Sequence, residues 1–72
     1  MSKQDFLTKL AELLEMDGTL TGAEALADLE EWNSMAVLSF MAMVDEETGK
    51  TLSAQEIAKA KTVDQLYELA AA

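Results

Sequence analysis

The side chains in this sequence that could move a proton or a chemical group are fourteen carboxylates, five lysines and eleven hydroxyls. Neither His nor Cys occurs. Their absence removes the usual general base near neutral pH, the thiolate nucleophile and the common transition-metal ligands. A catalytic carboxylate pair needs a shielded pocket that drives two pKa values apart. A chain of this length buries only about 60% of its unfolded surface, too little for a deep cleft. The expectation is therefore a protein that is not an enzyme. A hydroxyl that only accepts a modification needs no base of its own, and one serine is suitably placed: Ser34, after Asn33, at the head of an apolar run.

Ser34 has two readings. Ser and Asn are both favoured at helix N-caps, so Ser34 could serve only to start a helix. Alternatively, a phosphodiester on its oxygen would lie where unpaired backbone N–H groups and the positive end of the helix dipole meet. With no base nearby in sequence, the hydroxyl is a modification acceptor and not an activated nucleophile.

The surrounding elements read as helices. Ser2 and Asp5 have capping-box spacing, and Phe6, Leu7, Leu10, Leu13 and Leu14 share one face of a first helix that Asp17-Gly18 should end. A long connection follows from about Thr19 to Asn33, with Leu20, Leu26 and Leu29 placed to pin it to a core. The second helix is predicted from Asn33 or Ser34 to about Glu47, closed by Thr48-Gly49-Lys50. Ser53 with Glu56 opens a short helix, roughly Ala54 to Ala60, and Thr62 with Gln65 opens the last, on which Val63, Leu66, Tyr67 and Ala70 share a face. No proline and no sustained alternation are present, which argues against strands. The expected fold is all-α: one domain, 1–72, a small four-helix bundle of three longer helices and one short one with a long first loop.

The second helix is apolar on two sides. Val37, Phe40, Met41 and Val44 form one stripe, and Met35, Leu38 and Ala42 lie almost opposite, with Asp45 and Glu46 flanking them a turn further on. Such a helix is either surrounded by neighbours, here the long first loop, or uses its outer side to bind something. Methionine suits an adaptable contact surface.

The net charge is −9, and residues 10–49 contain no Lys or Arg. That field repels nucleic acid and anionic membrane and steers basic protein partners, besides keeping a small protein soluble. Self-repulsion of this kind should be relieved by moderate salt or divalent cations, raising the thermal midpoint. Asp28-Leu-Glu-Glu-Trp-Asn-Ser lacks the alternating ligands and turn glycine of a calcium loop. No signal-peptide pattern opens the sequence, and its most apolar stretch, Met35 to Val44, is too short to span a bilayer. A cytoplasmic monomer is expected, with no nucleic-acid or membrane partner.

The run Leu29-Glu-Glu-Trp-Asn-Ser-Met-Ala-Val-Leu-Ser-Phe-Met-Ala-Met-Val-Asp-Glu-Glu-Thr-Gly-Lys resembles the acyl carrier protein family, whose members typically show Asp-Ser-Leu at the start of the second helix. Leu52-Ser-Ala-Gln-Glu-Ile through Lys61-Thr-Val-Asp-Gln-Leu-Tyr is similar to the family's third and fourth helices. The resemblance implies that Ser34 carries 4′-phosphopantetheine, added by a phosphopantetheinyl transferase. Acyl or aminoacyl groups would then ride on the arm's thiol as thioesters. It further implies docking of that transferase, of an acyl- or aminoacyl-loading ligase and of downstream acyl-processing enzymes on Asn33, Met35, Leu38, Ala42, Asp45 and Glu46.

Two residues depart from the family pattern. Asn33 replaces Asp, which keeps a cap and removes a charge, and Met35 replaces Leu at similar volume. Ala36 and Ser39, read as outer-face positions, are uncharged where many fatty-acid-synthesis carriers are acidic, which points to a specialised pathway. The alternative is an acidic helical interaction module, or a degenerate carrier, with no prosthetic group.

Overall fold

A computed structural model describes residues 1–71. Its elements are α1 (Lys3–Leu13), a single 3-10 turn (Leu26–Asp28), α2 (Ser34–Thr48), α3 (Ala54–Ala58) and α4 (Val63–Ala71). The chain folds as the expected all-α arrangement, three longer helices and a short one with a long loop between α1 and α2. Among the described residues the only β feature is an isolated antiparallel bridge between Ala25 and Thr62.

Each helix starts where its cap chemistry dictates. Ser2 accepts from the Asp5 N–H at 3.1 Å to open α1. The Ser53–Glu56 box is complete: Ser53 Oγ accepts from the Glu56 N–H at 3.1 Å, and Glu56 Oε1 accepts from the Ser53 N–H at 3.2 Å. Leu52 and Ile57 occupy the flanking positions of a hydrophobic staple around that cap, and both are buried. At α4, Thr62 Oγ1 accepts from the Gln65 N–H at 3.3 Å, while the Gln65 side chain reaches the Lys61 N–H, one residue short of a regular box.

Two helix ends differ from expectation. α1 stops near Leu14, before Asp17-Gly18, because Glu15 takes the left-handed conformation at φ 57°. The Glu15 N–H then donates to Glu12 O and the Met16 N–H to Ala11 O, both at 3.0 Å, a Schellman closure built without glycine. Gly18 has no part in it. α3 ends at Ala58, short of Ala60, with Lys59 as its C-cap. α2 ends as read: Gly49, at φ 73°, donates its N–H to Asp45 O at 2.8 Å.

The core draws on every element. Phe6, Phe40, Leu10, Leu52, Ile57, Leu66, Val44 and Val63 are its largest fully buried side chains. Phe6 meets Phe40 and Tyr67 edge-on, with ring centroids 6.0 and 5.3 Å apart. Leu20 and Leu26 from the loop are buried and Leu29 is half-buried, so the loop is pinned as its leucines suggested. Its backbone is clasped too. Leu26 N–H donates to Lys61 O at 2.8 Å, Val63 N–H to Glu24 O at 3.1 Å and Asp64 N–H to Gly22 O at 2.8 Å. Gly22 is required at this crossing. Its φ is +105°, and a Cβ there would stand 2.1 Å from Asp64 Oδ1.

Candidate functional site

Asn33 and Ser34 divide the work at the head of α2. Asn33 is the N-cap, in extended conformation, and its Oδ1 accepts from the Ala36 N–H at 3.0 Å. Its carbonyl accepts the Val37 N–H at 3.0 Å. Ser34 is therefore the first helical residue and not the cap. It is exposed, and its hydroxyl makes no hydrogen bond to the described residues. The N–H groups of Ser34 and Met35 belong to the helix's unpaired first turn and have no protein acceptor. A phosphodiester on Ser34 Oγ fits here: the oxygen is accessible, two amide donors are open, and no carboxylate lies in the helix's first turn.

Trp32 sets the approach to this turn. It is half-buried and lies edge-on to Phe40, ring centroids 5.8 Å apart, which ties the residues before Ser34 to the core. Trp32 occupies the position before the Asn33 cap, and half-buried Val37 stands at the matching staple position inside the helix.

The outer stripe of α2 is uncovered. Met35 is 74% exposed and Leu38 63%, and Ala42, Asp45 and Glu46 are exposed beyond them. The long loop packs elsewhere, so of the two readings of the second stripe, cover by the loop is excluded. The inner stripe, Phe40 and Val44 with half-buried Val37 and Met41, faces the core. One assignment is corrected. Ala36 is only 7% exposed and belongs to the inner side, where a charge would be buried beside Phe40's layer, so its lack of charge carries no information about pathway. Ser39 is exposed as expected.

The stripe borders a shallow, open cleft of about 280 Å³ between the end of α1 and the start of α2. Leu13, Glu15, Glu31, Met35 and Ser39 are among its walls. Glu15 and Glu31 were not singled out in the sequence. Glu31 precedes the helix, and Glu15 reaches the cleft only because the chain turns left-handed there. No periodicity would have marked either.

Electrostatically, the far end of the stripe is costly. Asp45, Glu46 and Glu47 occupy the last turns of α2, at the negative end of its dipole, with no basic residue to offset them on the helix. Glu47 is matched by Lys9 at 2.6 Å, a bond that raises the lysine's pKa. Asp45 and Glu46 have no ion-pair partner among the described residues. A second ion pair, Lys3 to Asp64 at 2.7 Å, lies at the loop clasp. Among the described residues no group of three or more carboxylates is gathered to hold a metal ion, and no helix is long and apolar enough to cross a membrane.

Compared with known proteins, the chain matches no family model, no curated protein and no solved structure.

Proposed function

We propose that this chain is a carrier protein that bears 4′-phosphopantetheine on Ser34 and presents thioester-bound acyl or aminoacyl groups to partner enzymes. The observation that carries the reading is the division of labour at α2: Asn33 does the capping, leaving the Ser34 hydroxyl exposed and unbonded beside an uncovered apolar stripe. When attached, the arm supplies the thiol that the sequence lacks. The chain's own residues would do the rest. The open amides of Ser34 and Met35 would receive the phosphate oxygens, Trp32 on Phe40 would hold the entry to the helix, and Met35, Leu38 and Ala42 with Asp45 and Glu46 would meet a partner. That partner should present an apolar contact rimmed by basic residues. The fold contributes an exposed attachment point and a docking face, and the thioester chemistry resides in the arm and the partner enzymes.

Incubation with coenzyme A and a broad-specificity phosphopantetheinyl transferase, followed by peptide mapping, tests the assignment. The added group should sit on the peptide containing Ser34. A transferase that modifies a positive-control carrier but not this chain would overturn it.

A second reading is favoured by the exposed stripe alone: a helical interaction module with no prosthetic group. It expects Leu38→Asp to abolish partner capture and Ser34→Ala to leave it intact. The carrier reading expects Ser34→Ala to abolish acyl loading, with Leu38→Asp slowing modification and loading at a chemically intact serine.

A further inference from the structure

The stripe beside Ser34 contains the most exposed methionine of the chain. Met35 is 74% exposed, and among the described residues the only other large exposed hydrophobics are Leu38 at 63% and Met1 at 41%. Met16, Met41 and Met43 are partly buried and packed against the core. The sequence has no cysteine to intercept an oxidant first, and its single tryptophan, Trp32, is half-buried against Phe40. An exposed thioether is thus the easiest two-electron reductant the protein offers, and it stands next to the candidate attachment serine.

We infer that Met35 is an oxidation site that switches off the outer face of α2. Hydrogen peroxide, a two-electron oxidant, transfers one oxygen atom to the Met35 sulfur. The peroxide O–O bond breaks, an S–O bond forms, the sulfur is oxidised to the sulfoxide, and the remaining oxygen leaves as water. The product is a polar, chiral group at the head of an otherwise apolar stripe. Leu38 and Ala42 remain but lose their apolar neighbour, so a partner that buries the stripe must desolvate the sulfoxide dipole. Exposure places the new oxygen in solvent, and Met35 is not part of the core, so the fold is retained. A methionine sulfoxide reductase reverses the step with two thiols as the electron source: the S–O bond breaks, the oxygen leaves as water, and the thiols are oxidised to a disulfide. The consequence for partner docking rests on the carrier reading above; the site of oxidation does not.

The test treats the intact protein with limiting hydrogen peroxide and maps oxygen addition by peptide mass. Met35 should be consumed first, Met1 next, and Met16, Met41 and Met43 last. Retention on a hydrophobic-interaction column should fall for the oxidised parent and fall less for peroxide-treated Met35→Leu, in which only Met1 remains readily oxidised. The rate of Ser34 modification by the transferase should drop several-fold on oxidation of the parent. It should recover after reductase treatment and be insensitive to peroxide in Met35→Leu. Uniform oxidation of all methionines, or unchanged retention after Met35 has reacted, would overturn the site. If Met35 is oxidised selectively and retention falls while the modification rate is unaffected, the switch is overturned. If neither parent nor variant is modified before oxidation, the carrier reading fails, and the mapping and retention results still decide the oxidation site.

Discussion

The loop from residue 19 to 33 and the outer face of α2 contrast in how their polar and apolar groups are met. The loop has only one 3-10 turn of regular structure, yet its groups are well satisfied. Glu24 accepts from the Thr21 and Gly22 N–H groups at 2.8 and 2.9 Å and from the Thr21 hydroxyl at 3.2 Å, and three backbone bonds clasp the segment to the start of α4. The outer face of α2 belongs to the longest helix, yet it leaves Met35 and Leu38 in water and sets Asp45 and Glu46 against the dipole without an ion-pair partner among the described residues. Irregular backbone here serves stability. The regular helix carries groups that stability alone would not select, as the proposed docking face requires.

Substitutions can break this contrast, and the clasp should suffer most. Gly22→Ala forces a Cβ onto Asp64 in a left-handed backbone, with an expected loss of about 1–3 kcal/mol. Thermal unfolding reads that as a fall in midpoint on the order of 10 °C for a domain this small. Gly49→Ala is the control: its Cβ would meet nothing within 4 Å, so only the backbone cost of about 1 kcal/mol remains. Equal losses at the two glycines would mean that the clasp is not tight.

At the head of α2 the two neighbours should separate. Asn33→Ala removes the cap and should cost about 1 kcal/mol. Ser34→Ala should change stability by no more than about 0.5 kcal/mol. Denaturant titration of both variants decides it, and a larger loss for Ser34→Ala would return the serine to a capping role.

Glu24 links the clasp to pH. Partial burial pushes its pKa up, but hydrogen bonds from the Thr21, Glu24 and Gly22 backbone and the Thr21 hydroxyl outweigh this and hold it below the ordinary carboxylate value. A depressed folded pKa stabilises above the unfolded value, about 4.3, and that stability is lost as pH falls through the folded one. Glu24→Gln should therefore cost about 1 kcal/mol at neutral pH, the low end for a charge-assisted bond near solvent. The difference from the parent should close in acid. Lys3 and Lys9 behave oppositely. Hydrogen bonds to Asp64 and Glu47 raise their pKa values, so their contribution is complete below the unfolded lysine value and is lost only in strong alkali.

The outer face should respond modestly and with the opposite sign. Glu46→Lys places a cation at the negative end of α2 and should raise stability by about 0.3–1 kcal/mol while weakening a basic partner. Added salt should shrink that gain and raise the parent's midpoint. Destabilisation by Glu46→Lys would remove the argument that these acids are kept at a cost.

Much of this architecture could be read from residue types. Caps announced themselves at Ser2, Ser53 and Thr62, and the stripes of α1 and α4 followed helical pitch. The two-sided character of α2 was visible as well, but not that the loop would leave its outer side bare, because that depends on the clasp between residues 22–26 and 61–64, and no local pattern encodes such a contact. The Schellman turn at Glu15 was hidden because a glutamate gives no conformational warning. Ala36 was misplaced because a small residue at the border of two stripes fits either. Leu52 and Ile57 went unread as core because a five-residue helix has too few turns to show a face. At the candidate site the sequence marked Ser34 and the stripe, whereas the assignment of the cap to Asn33 required the hydrogen bond to Ala36.

The most direct test of the central claim is the intact mass of parent and Ser34→Ala after co-expression with a broad-specificity phosphopantetheinyl transferase. The parent should gain one phosphopantetheine group and Ser34→Ala none, with both folded. An unmodified parent, or the same gain on both proteins, would contradict it.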